Sequence, residues 1–326
     1  MAEDHGHQAS FVEAPEKRPL ADLLYPKLHR VLRKLSLSEQ AKASAYEAMR
    51  ALRGFASVFE VSVGDVSLSV DPERGTADSG DLESDLGDLF DRVGEAAKAA
   101  ASGWTLLIDE VQYLTGRELA ALIVAIHRVN QNQLPVIFFG AGLPQVAGLS
   151  GDAKSYAERL FSYPSIGPLD EVAARDAIVE PIRAERETIR PAAVELIVER
   201  THGYPYFLQE WGYQAWNASD ASPIDVADVE VASDRALERL DQGFFQVRFD
   251  RLTPKERDYV IAMARLGKGP YRSGDVADQM GENTKALGPT RHHIIQKGMI
   301  YSPAHGDIDF TVPLFDEYLE RTALRI

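Results

Sequence analysis

The rhythm of apolar and polar positions changes several times along the chain, and each change marks an element. Ala9 to Pro15 suits one short entry strand. From about Pro26 to Arg53 the period is helical, with Leu28, Val31, Leu32 and Leu35 on one stripe and Ala41, Ala45, Met49 and Leu52 on another. Ser36-Leu37-Ser38 divides this stretch into two helices. Phe59, Val61 and Val63, then Val66, Leu68 and Val70, alternate with polar residues on either side of Gly64-Asp65, which predicts a hairpin near 58–70 with one wet face. Leu82, Leu86, Leu89, Val93 and Ala97 return to helical spacing.

The run Trp104 to Ile108 is apolar throughout and ends in Asp109-Glu110, as befits a strand buried on both faces. Leu119, Leu122, Ile123, Ile126 and Val129 then mark a helix, and Leu134 to Phe139 a second buried strand that stops at Gly140-Ala141-Gly142. Strand, helix and strand of these lengths form a right-handed crossover in a parallel sheet. The two acids and the glycines therefore share the carboxyl edge, where open α/β sheets bind ligands. Adjacent carboxylates there suit a magnesium and phosphate site: Asp109 can hold the metal, directly or through water, and Glu110 can polarise an attacking water. The same pattern also fits a buried strand whose Asp109 only caps the next helix.

Beyond Pro168 the periodicity is purely helical. Asp170-Glu171 opens one helix, Pro191 lies in the first turn of a second, Gly203-Tyr204-Pro205 breaks before a third that runs to Trp216, and a fourth spans about Asp225 to Leu240. Phe207, Trp211 and Trp216 recur at helical spacing and are expected in the core. From Pro254 three helices precede two short strands around His305-Gly306, the order of a winged helix-turn-helix. Its third helix would present Lys285, Arg291, His292, His293 and Lys297 to DNA, or these are ordinary solvated charges on a winged helix that binds protein or its own body.

Composition narrows the choice. Hydrophobic content of 45% with 26% charged residues is ordinary for a globular protein, and 326 residues suffice for more than one domain. No apolar run reaches the roughly 20 residues that span a bilayer. The acidic start Met1 to His7 lacks a signal-peptide pattern, so no membrane association and a cytoplasmic location are expected. Without cysteine there is no disulfide, thiolate nucleophile or zinc-thiolate site. A net charge of −15 argues against nucleic-acid affinity over the whole surface. From Thr253 onward ten Lys/Arg balance ten Asp/Glu, so the excess lies before it and a local DNA-facing surface in the tail stays open. Nor is there a Gly-x-Ser-x-Gly elbow or a helix-spaced histidine pair with a carboxylate.

Four stretches in order, Leu106 to Leu114, Pro135 to Pro144, Ser155 to Phe161 and Gly203 to Glu210, resemble the AAA-type P-loop ATPases of the prokaryotic kind, related to the archaeal ATPase and STAND families. The resemblance implies an α/β, parallel-sheet P-loop NTPase-like core over 1–168, a helical lid over 169–250 and a winged helix-turn-helix over 251–326. It implies ATP and magnesium as cofactors, with Asp109 as the magnesium-side acid and Glu110 as the catalytic one. Arg159 resembles an arginine finger acting in its own or a neighbouring site of a homo-oligomer, with a plain salt bridge as its alternative. Gly203 and Pro205 resemble the lid turn that packs near the nucleotide base. Where such ATPases place a polar sensor of the terminal phosphate, this chain has Gly140-Ala141-Gly142, with Gln145 a distant substitute.

The 326 residues contain no Gly-x-x-x-x-Gly-Lys-Ser/Thr, the loop whose backbone N–H groups wrap the phosphates. Met1 to Val12 resembles the junction that follows the P-loop helix in this family. Met1 is then expected inside that helix, either because the start lies further upstream or because the loop was lost.

Overall fold

The computed structural model describes residues 2–15, 17–61 and 75–322, in two compact units, Met1–Pro164 and Ser165–Ile326. Beyond Val61, the hairpin expected near 58–70 lies outside the described residues.

In the first unit a 3-10 turn, Glu3–His5, leads into β1 (His7–Glu13). Helices α1 (Leu20–Leu35), α2 (Lys42–Val58) and α3 (Leu82–Ala99) follow, then β2 (Gly103–Asp109), α4 (Gly116–Gln131) and β3 (Val136–Gly140). Two short helices, α5 (Val146–Ala153) and α6 (Ala157–Leu160), close the unit. Local chemistry fixes the starts: Asp81 accepts the Ser84 N–H ahead of α3, and Thr115 with Glu118 forms a capping box ahead of α4.

The strands form one parallel sheet in the order β1-β2-β3, so the first unit is mixed α/β. Register runs from His7 opposite Gly103 to Glu13 opposite Asp109, and from Trp104 opposite Val136 to Ile108 opposite Gly140. Side chains alternate between faces along a strand, which sends Val12, Trp104, Leu106 and Ile108 into a core shared with α1 to α4. Trp104 meets Phe90 edge-on at 4.9 Å, and its indole N–H donates to Ser10 Oγ at 3.2 Å.

On the opposite face, Phe11, Leu107 and Phe139 stand in one register row and Ala9, Thr105 and Ile137 in the next. Phe11 is 57% exposed, Phe139 59% and Ile137 44%. This corrects the expectation for β3, whose apolar run predicts a strand as buried as β2. Among the described residues the helices pack on the face of Trp104, Leu106 and Ile108, and β3 is last in the sheet. A parallel ladder turns alternate residues' polar groups to opposite sides. Trp104 N–H donates to Pro135 O at 2.8 Å and Ala141 N–H to Ile108 O at 2.8 Å, so Phe138 and Gly140 direct their backbone groups away from β2.

The second unit contains α7 (Glu171–Ala184), α8 (Pro191–Thr201), α9 (Pro205–Ala218) and α10 (Val226–Leu240). A π-helical turn, Asp241–Phe245, joins α10 to α11 (Gln246–Asp250). Then come α12 (Pro254–Arg265), β4 (Tyr271–Arg272), α13 (Ser273–Met280), α14 (Thr284–Gln296), β5 (Ile300–Tyr301), β6 (Asp307–Phe310) and α15 (Phe315–Thr322). The three strands pair antiparallel in the order β4-β6-β5. One continuous core runs through the unit, holding Phe207 and Trp211 of α9 together with Phe245, Tyr259, Phe315 and Tyr318. Trp211 donates to Ser233 Oγ at 2.9 Å. Trp216 departs from the expected core: five residues past Trp211 it is rotated about 140° around the helix, and it is 42% exposed.

Candidate functional site

The acids end β2 between two neighbours. Ala14 N–H donates to Asp109 O at 3.0 Å on one side, and Val111 N–H to Ala141 O at 3.0 Å on the other. Asp109 Oδ1 accepts the Glu110 N–H at 2.8 Å. Glu110 itself adopts the left-handed backbone region, φ 58°, which turns the chain sharply off the strand. Its carboxylate accepts from Gln112 Nε2, while Gln112 Oε1 accepts the Leu143 N–H at 3.1 Å. Gln112 thus ties the carboxylate to the loop after β3. That approach requires Gly142, because a Cβ there would lie 2.5 Å from Gln112 Oε1 and 2.7 Å from Val146 Cγ2.

Register adds a third acid. Glu13 pairs with Asp109, so both side chains stand on the open face, beyond the row of Phe11, Leu107 and Phe139. Glu13 and Gln112 are functional candidates that sequence reading missed. Glu13 becomes significant only once β1 is known to lie parallel beside β2. Gln112 had a local signal, an amide two residues after an acid at the start of a loop. At the other end of this face the His7 ring covers Gly103, where a Cβ would lie 2.4 Å from the ring, and His7 Nδ1 lies 3.0 Å from Thr105 Oγ1.

The remaining candidates are dispersed. Arg159, in α6, is exposed and enters no ion pair among the described residues. Gln145 precedes α5 and is half-buried. In the second unit Gly203 has φ +70°, and a Cβ there would lie 2.7 Å from Leu169 O; its own carbonyl accepts the Leu169 N–H at 2.9 Å. Pro205 is the first residue of α9, where its missing N–H costs no helix bond.

On α14, Lys285, His292 and His293 are exposed and Arg291 is half-buried. Burial pushes the Tyr259 phenol up to about 12, with the Arg291 charge pulling the other way. Lys297, just past α14, donates to Glu256 Oε2 at 2.6 Å and to Arg251 O at 2.9 Å. Glu256 is buried at the start of α12 and accepts the Thr253 N–H at 2.7 Å. Burial alone would raise its pKa, but the bonds from Lys297 and Thr253 outweigh this and hold it below the usual carboxylate range. The Lys297 charge is therefore already matched inside the tail.

Among the described residues no group of three or more His, Asp or Glu side chains is arranged to hold a metal ion, and no helix is long and apolar enough to cross a membrane. The family described as Domain of unknown function (DUF8462) matches residues 242–319, less than half of the chain. No curated protein matches. Among solved structures, the chain is similar to the Thermotoga maritima RuvB Holliday junction branch migration motor at 16% identity and a TM-score of 0.39, over 74% of this chain and 84% of that one. It is also similar to the Aeropyrum pernix Orc1 protein in complex with DNA, at 16% identity and a TM-score of 0.40, over 99% of this chain and 80% of that one.

Proposed function

We propose that the chain carries the acidic half of an ATP- and magnesium-dependent regulatory ATPase of the AAA/STAND kind, its nucleotide state coupled to a C-terminal winged helix over 251–326 through a lid over 169–250. One observation carries this reading: Asp109 and Glu110 stand at the carboxyl edge of β2, next to a β3 whose outer edge has no partner strand and whose outer face is exposed among the described residues. Parallel sheets are normally covered on both faces, so this sheet has room for a further parallel strand and helix. A strand followed by a glycine-rich loop and helix would fill both vacancies and set phosphates beside the acids.

In that complete site Asp109 would hold magnesium. The metal, when bound, would neutralise charge on the phosphates. Glu110, aimed by Gln112, takes the proton of the attacking water. Because Gln112 also holds the loop after β3, a change in that loop would move the catalytic carboxylate. Arg159, exposed and unpaired among the described residues, suits a finger in a neighbouring copy better than a local salt bridge. Gly203 and Pro205 fix the lid turn. On the winged helix, Lys285, Arg291 and His292 face a DNA or protein partner, whereas Lys297 serves the fold.

The absence of a phosphate-wrapping loop from the 326 residues favours one second reading, a non-catalytic DNA- or protein-binding module on a degenerate NTPase scaffold. The two separate on Glu110→Gln in a protein that carries a phosphate-wrapping loop ahead of this chain. Loss of a general base lowers phosphate release by about 10²-fold or more, with ATP binding retained. Unchanged turnover contradicts the assignment.

A further inference from the structure

We propose that the groove between α7 and α9 is a docking site for a basic amphipathic helix of a protein partner. The groove has a volume of about 310 Å³. Ile178 and Ile182 of α7 and Leu208 of α9 form its floor, with Tyr213 and Trp216 on the rim. Tyr213 is 54% exposed, and Trp216 borders a second, polar recess that includes Glu187 and Asp220. Exposed Trp and Tyr around an apolar slot are the usual anchors of a protein interface, and a slot between two helices accepts a third by its apolar face.

Gly212 keeps the slot open. It lies in the middle of α9, where glycine costs about 1 kcal/mol of helix stability relative to alanine. A Cβ there would meet Ile178 Cδ1 at 3.4 Å, an ordinary contact, so close packing does not demand glycine. A longer side chain would fill the groove.

Charge selects the occupant. Glu185 lines the groove, Glu187 and Asp220 lie across Trp216, and none of the three enters an ion pair among the described residues. The nearby cations are largely spent: Arg183 pairs with Glu180 at 2.5 Å, and Arg239 lies over the Tyr213 ring within 3.6 Å of Glu210. Even with Arg186 beside Glu185, the rim is net negative. A helix with leucine-type side chains on one face and Lys or Arg on its flank matches both the slot and this rim. The site lies wholly within the second unit and needs no nucleotide.

The test is fluorescence anisotropy of labelled model helices against the full chain. A Leu/Lys amphipathic peptide should bind, whereas a Ser/Lys peptide of equal charge and a Leu/Glu peptide should not. Gly212→Leu should weaken binding about tenfold or more, as should the combined change Glu185→Gln, Glu187→Gln and Asp220→Asn. Asp258→Asn, Asp275→Asn and Asp278→Asn together remove the same charge elsewhere in the unit and should leave binding unchanged. Should circular dichroism show Gly212→Leu to be misfolded, the exposed Tyr213→Ala takes its place. The proposal is overturned by no binding of the Leu/Lys peptide, by equal binding of the Ser/Lys peptide, or by equal losses in both charge-removal variants.

Discussion

The two sheets among the described residues meet solvent in opposite ways. In the second unit a small antiparallel sheet closes over a continuous core, and Phe207, Phe245 and Phe315 are buried within it. In the first unit a parallel sheet of the same strand number leaves Phe11, Ile137 and Phe139 exposed on one face and, among the described residues, the outer edge of β3 unpaired. An antiparallel sheet tolerates a wet face, whereas a parallel one is built for cover on both sides. The difference is one of cover: among the described residues the antiparallel sheet closes over a core, while the sheet that ends in Asp109 keeps an open face.

Substitution at aromatic positions should break this comparison if it is wrong. Phe207→Ala removes a fully buried ring and should cost about 3–5 kcal/mol, read as a fall in the denaturation midpoint. Lys297→Met should cost less, about 1–3 kcal/mol, by leaving the buried Glu256 carboxylate without its charged donor. This contribution has a definite sign with pH. Glu256 has a depressed folded pKa, so the stabilisation is present above the unfolded value near 4.5 and lost as pH falls through the folded one. The second unit should therefore weaken progressively below about pH 4.5, and Lys297→Met should flatten that profile in thermal melts. Phe139→Ser should have the smallest effect, within about 0.5 kcal/mol, because the ring is already in water. A loss as large as that of Phe207→Ala would mean the open face is covered within this chain.

Much of the architecture was legible in the sequence because it rests on period. The helical stripes around Leu28 and Leu86, the Trp104 to Asp109 strand and the crossover through Ile123 each carry enough apolar positions to fix their element. Exposure was not legible, since an apolar run such as Pro135 to Phe139 looks the same whether or not anything covers it. Trp216 misled for a related reason: helical spacing groups it with Phe207 and Trp211, but five residues of rotation carry it to another face. At the candidate site, the acids announced themselves as a pair at a strand end. Glu13 and Gln112 did not, because their relation to that pair arises from parallel register and from a loop that only Gly142 lets close.

The central claim is that Asp109 and Glu110 form half of a nucleotide site that a strand, loop and helix added beyond β3 would complete. It is tested by titration of labelled ATP with magnesium against this chain, and against the same chain with a strand, phosphate-wrapping loop and helix placed ahead of β1. The 326 residues alone, where no loop wraps the phosphates, should show no binding below about 1 mM, and the chain given that loop should bind saturably in the micromolar range. Submillimolar binding by the 326 residues alone, or none by the extended chain, would contradict it.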